Sequence, residues 1–157
     1  MERKISYLNR IRDITNYQFE RNIGLKFFPD EVEMSLSKRT GRIRHIYLDG
    51  VLIATLRPTD GFFSLTVSGA QRLTSLIKFP RLRVIIQGDV EVFAKKGMNI
   101  FARHVIAADP NIRPGEEVII TDEKDKVLAV GKALLNGKEM LSFKRGVAVR
   151  TRRGVDE

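Results

Sequence analysis

The dipeptide Asp49-Gly50 lies between two apolar segments of six residues each, Ile43 to Leu48 and Val51 to Leu56. A two-residue Asp-Gly loop permits positive φ at both positions, as the tight turn of a β-hairpin requires. The pattern therefore predicts two antiparallel strands over these segments. Asp60-Gly61 predicts a second turn, followed by a strand from Phe62 to Val67. This part of the chain is expected to form a meander of antiparallel strands.

The segments on either side of this meander have helical spacing. Apolar residues repeat at intervals of three and four over residues 3–20, which predicts an amphipathic helix. Ser68 and Gln71 are spaced as a capping box, so a second helix is expected to begin at Ser68 and to end near Pro80. We therefore interpret residues 1–80 as one domain, an α+β unit with an antiparallel sheet.

Short strands and glycine turns dominate residues 81–157, which we interpret as a second domain. Two short helices are expected here, because Lys95-Lys96-Gly97 and Lys144-Arg145-Gly146 each place cations before a glycine, as at a helix C-terminus. Asp89 is expected to cap the first of these helices. Residues 100–107 are expected to form one strand. Five or six strands with two short helices predict a small, mostly-β barrel, and the fold class of the whole chain is α+β.

The charge of the chain points to one class of partner. Its 157 residues include 28 Lys plus Arg against 19 Asp plus Glu, a formal net charge of +9. An excess of this size, shared by both predicted domains, is typical of proteins that bind nucleic acids. A solvated basic surface without a binding role is the alternative that composition leaves open.

Several classes of protein are excluded by what the sequence lacks. The absence of cysteine excludes a disulfide framework, Cys-ligated zinc and thiol catalysis. No apolar stretch approaches the roughly 18 residues of a membrane span, so no membrane partner is expected. Met1-Glu2-Arg3-Lys4 is followed by a charged stretch rather than an apolar one, so no secretory signal is expected. We expect a cytoplasmic protein.

Residues suited to catalysis are sparse. His45 and His104 are the only histidines, one in each predicted domain and each inside a predicted strand. Their separation leaves no metal-binding His spacing, and no glycine-rich phosphate loop or nucleophile motif is present. We expect no enzymatic activity, no cofactor and no metal. A small enzyme whose carboxylates meet only in the folded chain is the alternative left open.

Basic residues at four places are candidates for binding. Arg42 and Arg44 share a face of a predicted strand, where charge also has the simpler role of blocking aggregation. The cations at the two predicted helix ends are explained by the helix dipole as well as by phosphate binding. Phosphate binding is favoured for the last predicted strand, which carries Arg150, Arg152 and Arg153.

Four segments of the second predicted domain together resemble a PUA domain, the pseudouridine synthase and archaeosine transglycosylase module. They are residues 92–102 (VFAKKGMNIFA), 113–118 (RPGEEV), 127–133 (VLAVGKA) and 143–149 (FKRGVAV). Residues 30–80, with GRIRH at 41–45 and ATLRPTDG at 54–61, are similar to the domain that precedes PUA in archaeal archaeosine tRNA-guanine transglycosylases and in standalone archaeal relatives.

The resemblance implies a pseudo-barrel that binds structured RNA, often the acceptor stem or the CCA end of tRNA. The implied groove lies between the first helix of the PUA domain, with its glycine loop, and the final strands. Together with the basic residues above, this predicts the following RNA-binding set: Lys95, Lys96, Gly97, Met98, Asn99, Arg103, Lys144, Arg145, Gly146, Arg150, Arg152 and Arg153, with Arg42 and Arg44 as further candidates.

The predicted function is therefore non-enzymatic RNA binding, with tRNA as the first expected partner and rRNA as the alternative. The catalytic barrel and Cys-ligated zinc of the transglycosylase have no counterpart in this sequence. A rival interpretation is an accessory RNA-binding subunit, equivalent to a detached C-terminal half, that serves a separate tRNA-modifying enzyme.

Overall fold

The computed structural model describes residues 2–157, so Met1, counted in the first predicted domain, lies outside them. The chain divides into two compact units, the first ending at Ile77 and the second covering Lys78–Glu157. Within residues 2–157 the helices are α1 (Glu2–Gln18), α2 (Gly24–Phe27), α3 (Val67–Thr74), α4 (Glu91–Lys95) and α5 (Gly137–Ser142). The strands are β1 (Glu33–Leu36), β2 (Ile43–Leu48), β3 (Val51–Leu56), β4 (Phe63–Leu65), β5 (Arg83–Ile86), β6 (Ile100–Phe101), β7 (Val105–Ala108), β8 (Glu117–Thr121), β9 (Val127–Ala133) and β10 (Val147–Gly154). No helix in this part of the chain has both the length and the apolar character needed to cross a membrane.

The first unit is an antiparallel meander in the order β1-β2-β3-β4, accompanied by α1, α2 and α3. The predicted hairpin is confirmed: Asp49 and Gly50 have φ values of 52° and 79° and connect β2 to β3. Aromatic rings fill the core, with the centroid of Phe28 lying 4.6 Å from that of Phe27 and 5.3 Å from that of Phe63. These contacts give the sheet its covered face.

The start of α3 differs from the prediction. Its N-cap is Thr66 rather than Ser68, since the Thr66 hydroxyl accepts a hydrogen bond from the Gly69 amide at 3.0 Å. The same hydroxyl donates to the carbonyl of Leu52 in β3 at 2.7 Å, which ties the cap to the sheet. The helix therefore begins earlier than the capping-box spacing predicts, and it ends at Thr74 rather than near Pro80.

The second unit is a six-stranded sheet in the order β6-β10-β9-β8-β5-β7. Every pairing is antiparallel except that of β5 with β8, which is parallel. Its outermost strands, β6 and β7, are joined by a single 3₁₀ turn, Ala102–His104, so the sheet curls into a nearly closed pseudo-barrel. One apolar core fills it, with contributions from Val84, Ile120, Leu128 and Met140. The predicted fold class is confirmed.

Two local predictions in this unit are wrong. Asp89 lies within the 3₁₀ turn Gly88–Val90, and no side chain caps the N-terminus of α4. The single strand expected over residues 100–107 is divided into β6, a 3₁₀ turn and β7, which places His104 in the turn. The interruption follows from closure, because the chain must turn where the two ends of the sheet meet.

The end of α5 also differs from the prediction. The helix ends at Ser142, and Phe143 already has an extended conformation with φ −79° and ψ 134°. Lys144 and Arg145 therefore follow the helix instead of occupying its last turn. The helix is positioned by its other end, where Asn136 and Glu139 form a reciprocal capping box.

Candidate RNA interface

Strand pairing brings two predicted segments together. β6 pairs with β10, with Ile100 opposite Val149 and Phe101 opposite Val147. The Asn99 side-chain oxygen accepts a hydrogen bond from the Thr151 amide at 3.1 Å. The loop before β6 and the last strand thus lie side by side, as the implied groove requires. We call residues 95–103 and 144–153 together the β6–β10 edge.

At the C-terminal end of α4 the sequence prediction and the structure agree locally. Lys95 occupies the last turn, Lys96 is the C-cap, and Gly97 has a φ of 86°. Lys96 is exposed, whereas Lys95 is half-buried. The positive charge of Lys96 is stabilised by the helix dipole, and its exposed side chain is also accessible to an external anion.

The sequence predicts that the backbone at Gly97 is open to a close partner. In the structure it is covered by the Glu157 side chain. A Cβ atom added at Gly97 would collide with the carboxylate of Glu157. That carboxylate accepts a hydrogen bond from the Gly154 amide at 2.7 Å, and the Asp156 amide donates to the Lys95 carbonyl at 2.9 Å. The C-terminal residues therefore place an anion at the site where the sequence predicts an RNA backbone.

Lys144, Arg145 and Gly146 form an exposed segment between α5 and β10. The helix-dipole explanation for these two cations is removed, since α5 ends at Ser142. Gly146 has a φ of 97° and no atom within 4 Å of the position a Cβ would take, so its backbone is open. Of the two basic segments, this is the one with free space beside the glycine.

The three arginines of the last strand have different environments. Arg152 donates to Glu117 through both terminal guanidinium nitrogens, one of them at 2.8 Å from a carboxylate oxygen. The Glu117 side chain is 0% exposed, so Arg152 neutralises a buried charge. Arg150 and Arg153 are exposed and form no ion pair with any carboxylate among residues 2–157. These two, rather than Arg152, are available to an external anion.

Phe101 is a part of the edge that sequence reasoning did not select. Phe101 is 43% exposed, and the Arg103 guanidinium lies over its ring at 5.6 Å from the centroid. The His104 ring approaches the same ring edge-on, with centroids 6.2 Å apart. Unpaired bases stack on exposed aromatic rings and on arginine guanidinium planes. The alternation of Phe101 with Arg103 in the sequence was the available signal.

Arg42 and Arg44 do not form the regular stripe that strand alternation predicts. Arg42 lies in the exposed loop before β2, whereas Arg44 lies within β2 and is half-buried. The pairing of β2 with β1 shifts register beside Arg44, because Ser35 faces His45 while Leu36 faces Ile43. A bulge of this kind breaks the two-residue alternation.

The histidines and the most buried carboxylates have structural contacts. His45 Nδ1 lies 3.2 Å from the Thr55 hydroxyl, and His104 packs on Phe101. Asp109 accepts a hydrogen bond from the Leu82 amide at 2.9 Å. In the described part of the chain, no three His, Asp or Glu side chains come together as metal ligands would.

Comparison with protein families accounts for nearly the whole chain. Residues 9–80 match the patch-forming domain C2 of tRNA-guanine transglycosylase, and residues 82–155 match the PUA domain. The tRNA-guanine(15) transglycosylase of Pyrococcus abyssi is 45% identical over 142 residues, which cover 90% of this chain and 24% of that protein. The enzyme of the same name from Methanothermobacter thermautotrophicus is 42% identical over 154 residues, or 98% of this chain and 24% of its own length. The chain spans about a quarter of the curated relatives it matches.

Solved structures share the fold over nearly the full length of the chain. A hypothetical protein from Pyrococcus horikoshii superposes with a TM-score of 0.77 at 21% identity, covering 97% of this chain and 92% of its own. A conserved PUA domain protein from Thermoplasma acidophilum superposes with a TM-score of 0.69 at 19% identity, covering 98% and 91%. The two-unit architecture therefore also occurs in chains of similar length.

Proposed function

The chain belongs to the PUA-domain family, with a domain of the transglycosylase C2 family before its PUA domain, and from this we propose that it is a non-enzymatic RNA-binding protein. The proposed partner is tRNA, gripped at its acceptor end in the cytoplasm. We place the two domains at residues 1–80 and 81–157, a division supported by the family matches to 9–80 and 82–155.

The observation that carries the proposal is the composition of the β6–β10 edge. Exposed cations lie along it at Lys96, Lys144, Arg145, Arg150 and Arg153. Lysine and arginine side chains hold RNA phosphates and release the counterions that surround them, which favours binding. No cofactor is needed for this function.

Recognition of an unpaired end is assigned to Phe101. The partly exposed Phe101 ring and the Arg103 guanidinium that lies over it together offer a base a stacking surface that tolerates any sequence. The Ala102 amide donates to the Gly146 carbonyl at 2.9 Å, so this surface adjoins the open backbone and cations of residues 144–146. A base stacked on Phe101 would have its phosphates next to these cations.

The test compares an intact tRNA transcript with one trimmed of its CCA end, by fluorescence anisotropy. Wild-type protein should bind the trimmed tRNA more weakly, and Phe101→Leu should reduce this difference because leucine lacks a π face. Equal affinity of the wild-type protein for both transcripts would rule out end recognition. If the wild-type protein bound neither transcript, the proposed function itself would be ruled out.

Phe79→Leu is the matched control for this experiment. Phe79 is 50% exposed and has an arginine, Arg83, 5.7 Å from its ring centroid. Arg83, however, is buried and binds Asp125 at 2.9 Å, so it is not available to a phosphate. The Phe79 variant should discriminate between the two transcripts as wild type does.

A second candidate function is that of an accessory subunit for a separate tRNA-modifying enzyme. It is favoured by the 45% identity to one quarter of a transglycosylase, extending over both domains of this chain. If this is the role, adding the chain to a transglycosylase that lacks its own C2 and PUA domains should increase guanine exchange into tRNA. An unchanged exchange rate at saturating chain would leave independent RNA binding as the function.

A further inference from the structure

Lys132 is the one exposed residue in an otherwise buried strand. β9 runs from Val127 to Ala133, and its other six residues are buried. On the neighbouring strand, Arg150 lies directly opposite Lys132 and is also exposed. The adjacent pair, Val149 opposite Ala133, belongs to the barrel core, so Lys132 and Arg150 project from the outer face.

Two cations in this position repel each other. Residues directly opposite on antiparallel strands have Cβ atoms about 4.5–5.5 Å apart, and like charges placed there are destabilising. Neither Lys132 nor Arg150 forms an ion pair with a carboxylate among residues 2–157. On the other side of Lys132, the opposite residue is Glu117, which already binds Arg152. This group of neighbouring residues therefore contains three cations, Lys132, Arg150 and Arg152, and one carboxylate, Glu117.

Protection of a sheet edge does not explain this pair. Charged residues often protect the edge of a sheet from pairing with another chain. β9 and β10 are both internal strands, because β10 lies between β6 and β9, and β9 lies between β10 and β8. A neutral residue with high strand propensity, such as threonine, would suit either exposed position and would avoid the repulsion between the two cations.

We propose that Lys132 and Arg150 form a phosphate-binding pair. The arginine offers a planar fork of donors and the lysine a compact ammonium group, so the two can bind different oxygens of one phosphate. The assignment of that phosphate to the RNA backbone rests on the proposed function. RNA and free polyphosphates both carry the phosphate group that such a pair would bind. Lys132, in β9, would add a third strand to the β6–β10 edge.

The experiment uses the full chain and two readouts. Thermal unfolding is measured at low salt, with and without inorganic pyrophosphate, against sodium chloride of equal ionic strength. Affinity for a tRNA transcript is measured by anisotropy over a salt series. The variants are Lys132→Gln and Arg150→Gln. The control is Lys126→Gln. Lys126 is an exposed lysine just before β9; its backbone amide donates a hydrogen bond to the Asp122 carboxylate, and Asp125 precedes it in the sequence.

Three results are expected if the pair binds phosphate. Arg150→Gln should unfold at a temperature no lower than wild type without pyrophosphate, because the repulsion between Arg150 and Lys132 is relieved. Pyrophosphate should raise the unfolding temperature of wild type and of Lys126→Gln but not of Lys132→Gln or Arg150→Gln. The slope of log affinity against log salt for tRNA should become shallower by about one unit in each of the two variants.

Equal protection by pyrophosphate in wild type and all variants, or no protection of wild type, would overturn the phosphate site. Loss of pyrophosphate protection with unchanged tRNA affinity would support the anion site and remove it from the proposed RNA function. Loss of both would support the pair as a contact to the RNA backbone.

Discussion

Arg150 and Arg152 are two residues apart in β10, yet the structure gives them different roles. Strand alternation predicts one shared face, and their equal charge suggests one shared function. The ion pair of Arg152 with Glu117 joins residues 35 positions apart, and no local pattern in the sequence signals such a contact. Sequence reasoning therefore groups these arginines together but cannot distinguish Arg152, which pairs with Glu117, from Arg150, which forms no ion pair.

Replacing these two arginines one at a time should separate the roles. Arg152→Gln leaves the buried Glu117 carboxylate without its cation, which should lower the free energy of unfolding by about 3 kcal/mol. Arg150→Gln breaks no ion pair and should not destabilise the protein. Urea denaturation measures both changes, with Arg153→Gln as an exposed control. Equal stability of the Arg152 and Arg150 variants would contradict the structural role of the ion pair.

The C-terminal ends of the two short helices in the second unit show which helix boundaries can be predicted from local sequence. The end of α4 was predicted correctly because its signals are local: a cation in the last turn, then Gly97 at positive φ. The end of α5 was placed too late because a similar Lys-Arg-Gly segment was interpreted in the same way. The capping box of Asn136 and Glu139 was the better signal, since it locates the start of the helix.

This difference in helix ends predicts different costs for two similar substitutions. Lys96→Gln removes a cation from the C-terminal end of α4 and should destabilise the protein by about 0.3–1 kcal/mol. Lys144→Gln should leave stability unchanged, because Lys144 lies beyond the end of α5. Both variants should weaken tRNA binding. Thermal unfolding and anisotropy measure the two effects, and a stability loss confined to the Lys144 variant would contradict the assigned helix ends.

Across the whole molecule, short-range turn chemistry and composition were enough to predict the fold class. The Asp49-Gly50 turn and the glycine-rich second half point to a meander followed by a barrel. What could not be predicted depends on strand register, which is defined only when strands distant in the sequence pair. Lys132 faces Arg150 from 18 positions away, and the bulge beside Arg44 removes the expected stripe. The net charge of +9 is nevertheless shared by both units, so either unit could contribute to binding.

The salt dependence of tRNA binding tests whether both units contact the RNA. Each phosphate contact adds about 0.9 to the magnitude of the slope of log affinity against log salt. Arg42→Gln in the first unit and Lys96→Gln in the second should each make the slope shallower by about one unit, and the double variant by about two. Anisotropy titrations between low and moderate salt give these slopes. If Arg42→Gln keeps the wild-type slope and Lys96→Gln has a shallower one, then of these two residues only Lys96, in the second unit, contacts a phosphate. A wild-type affinity that hardly changes with salt would contradict phosphate binding by either unit.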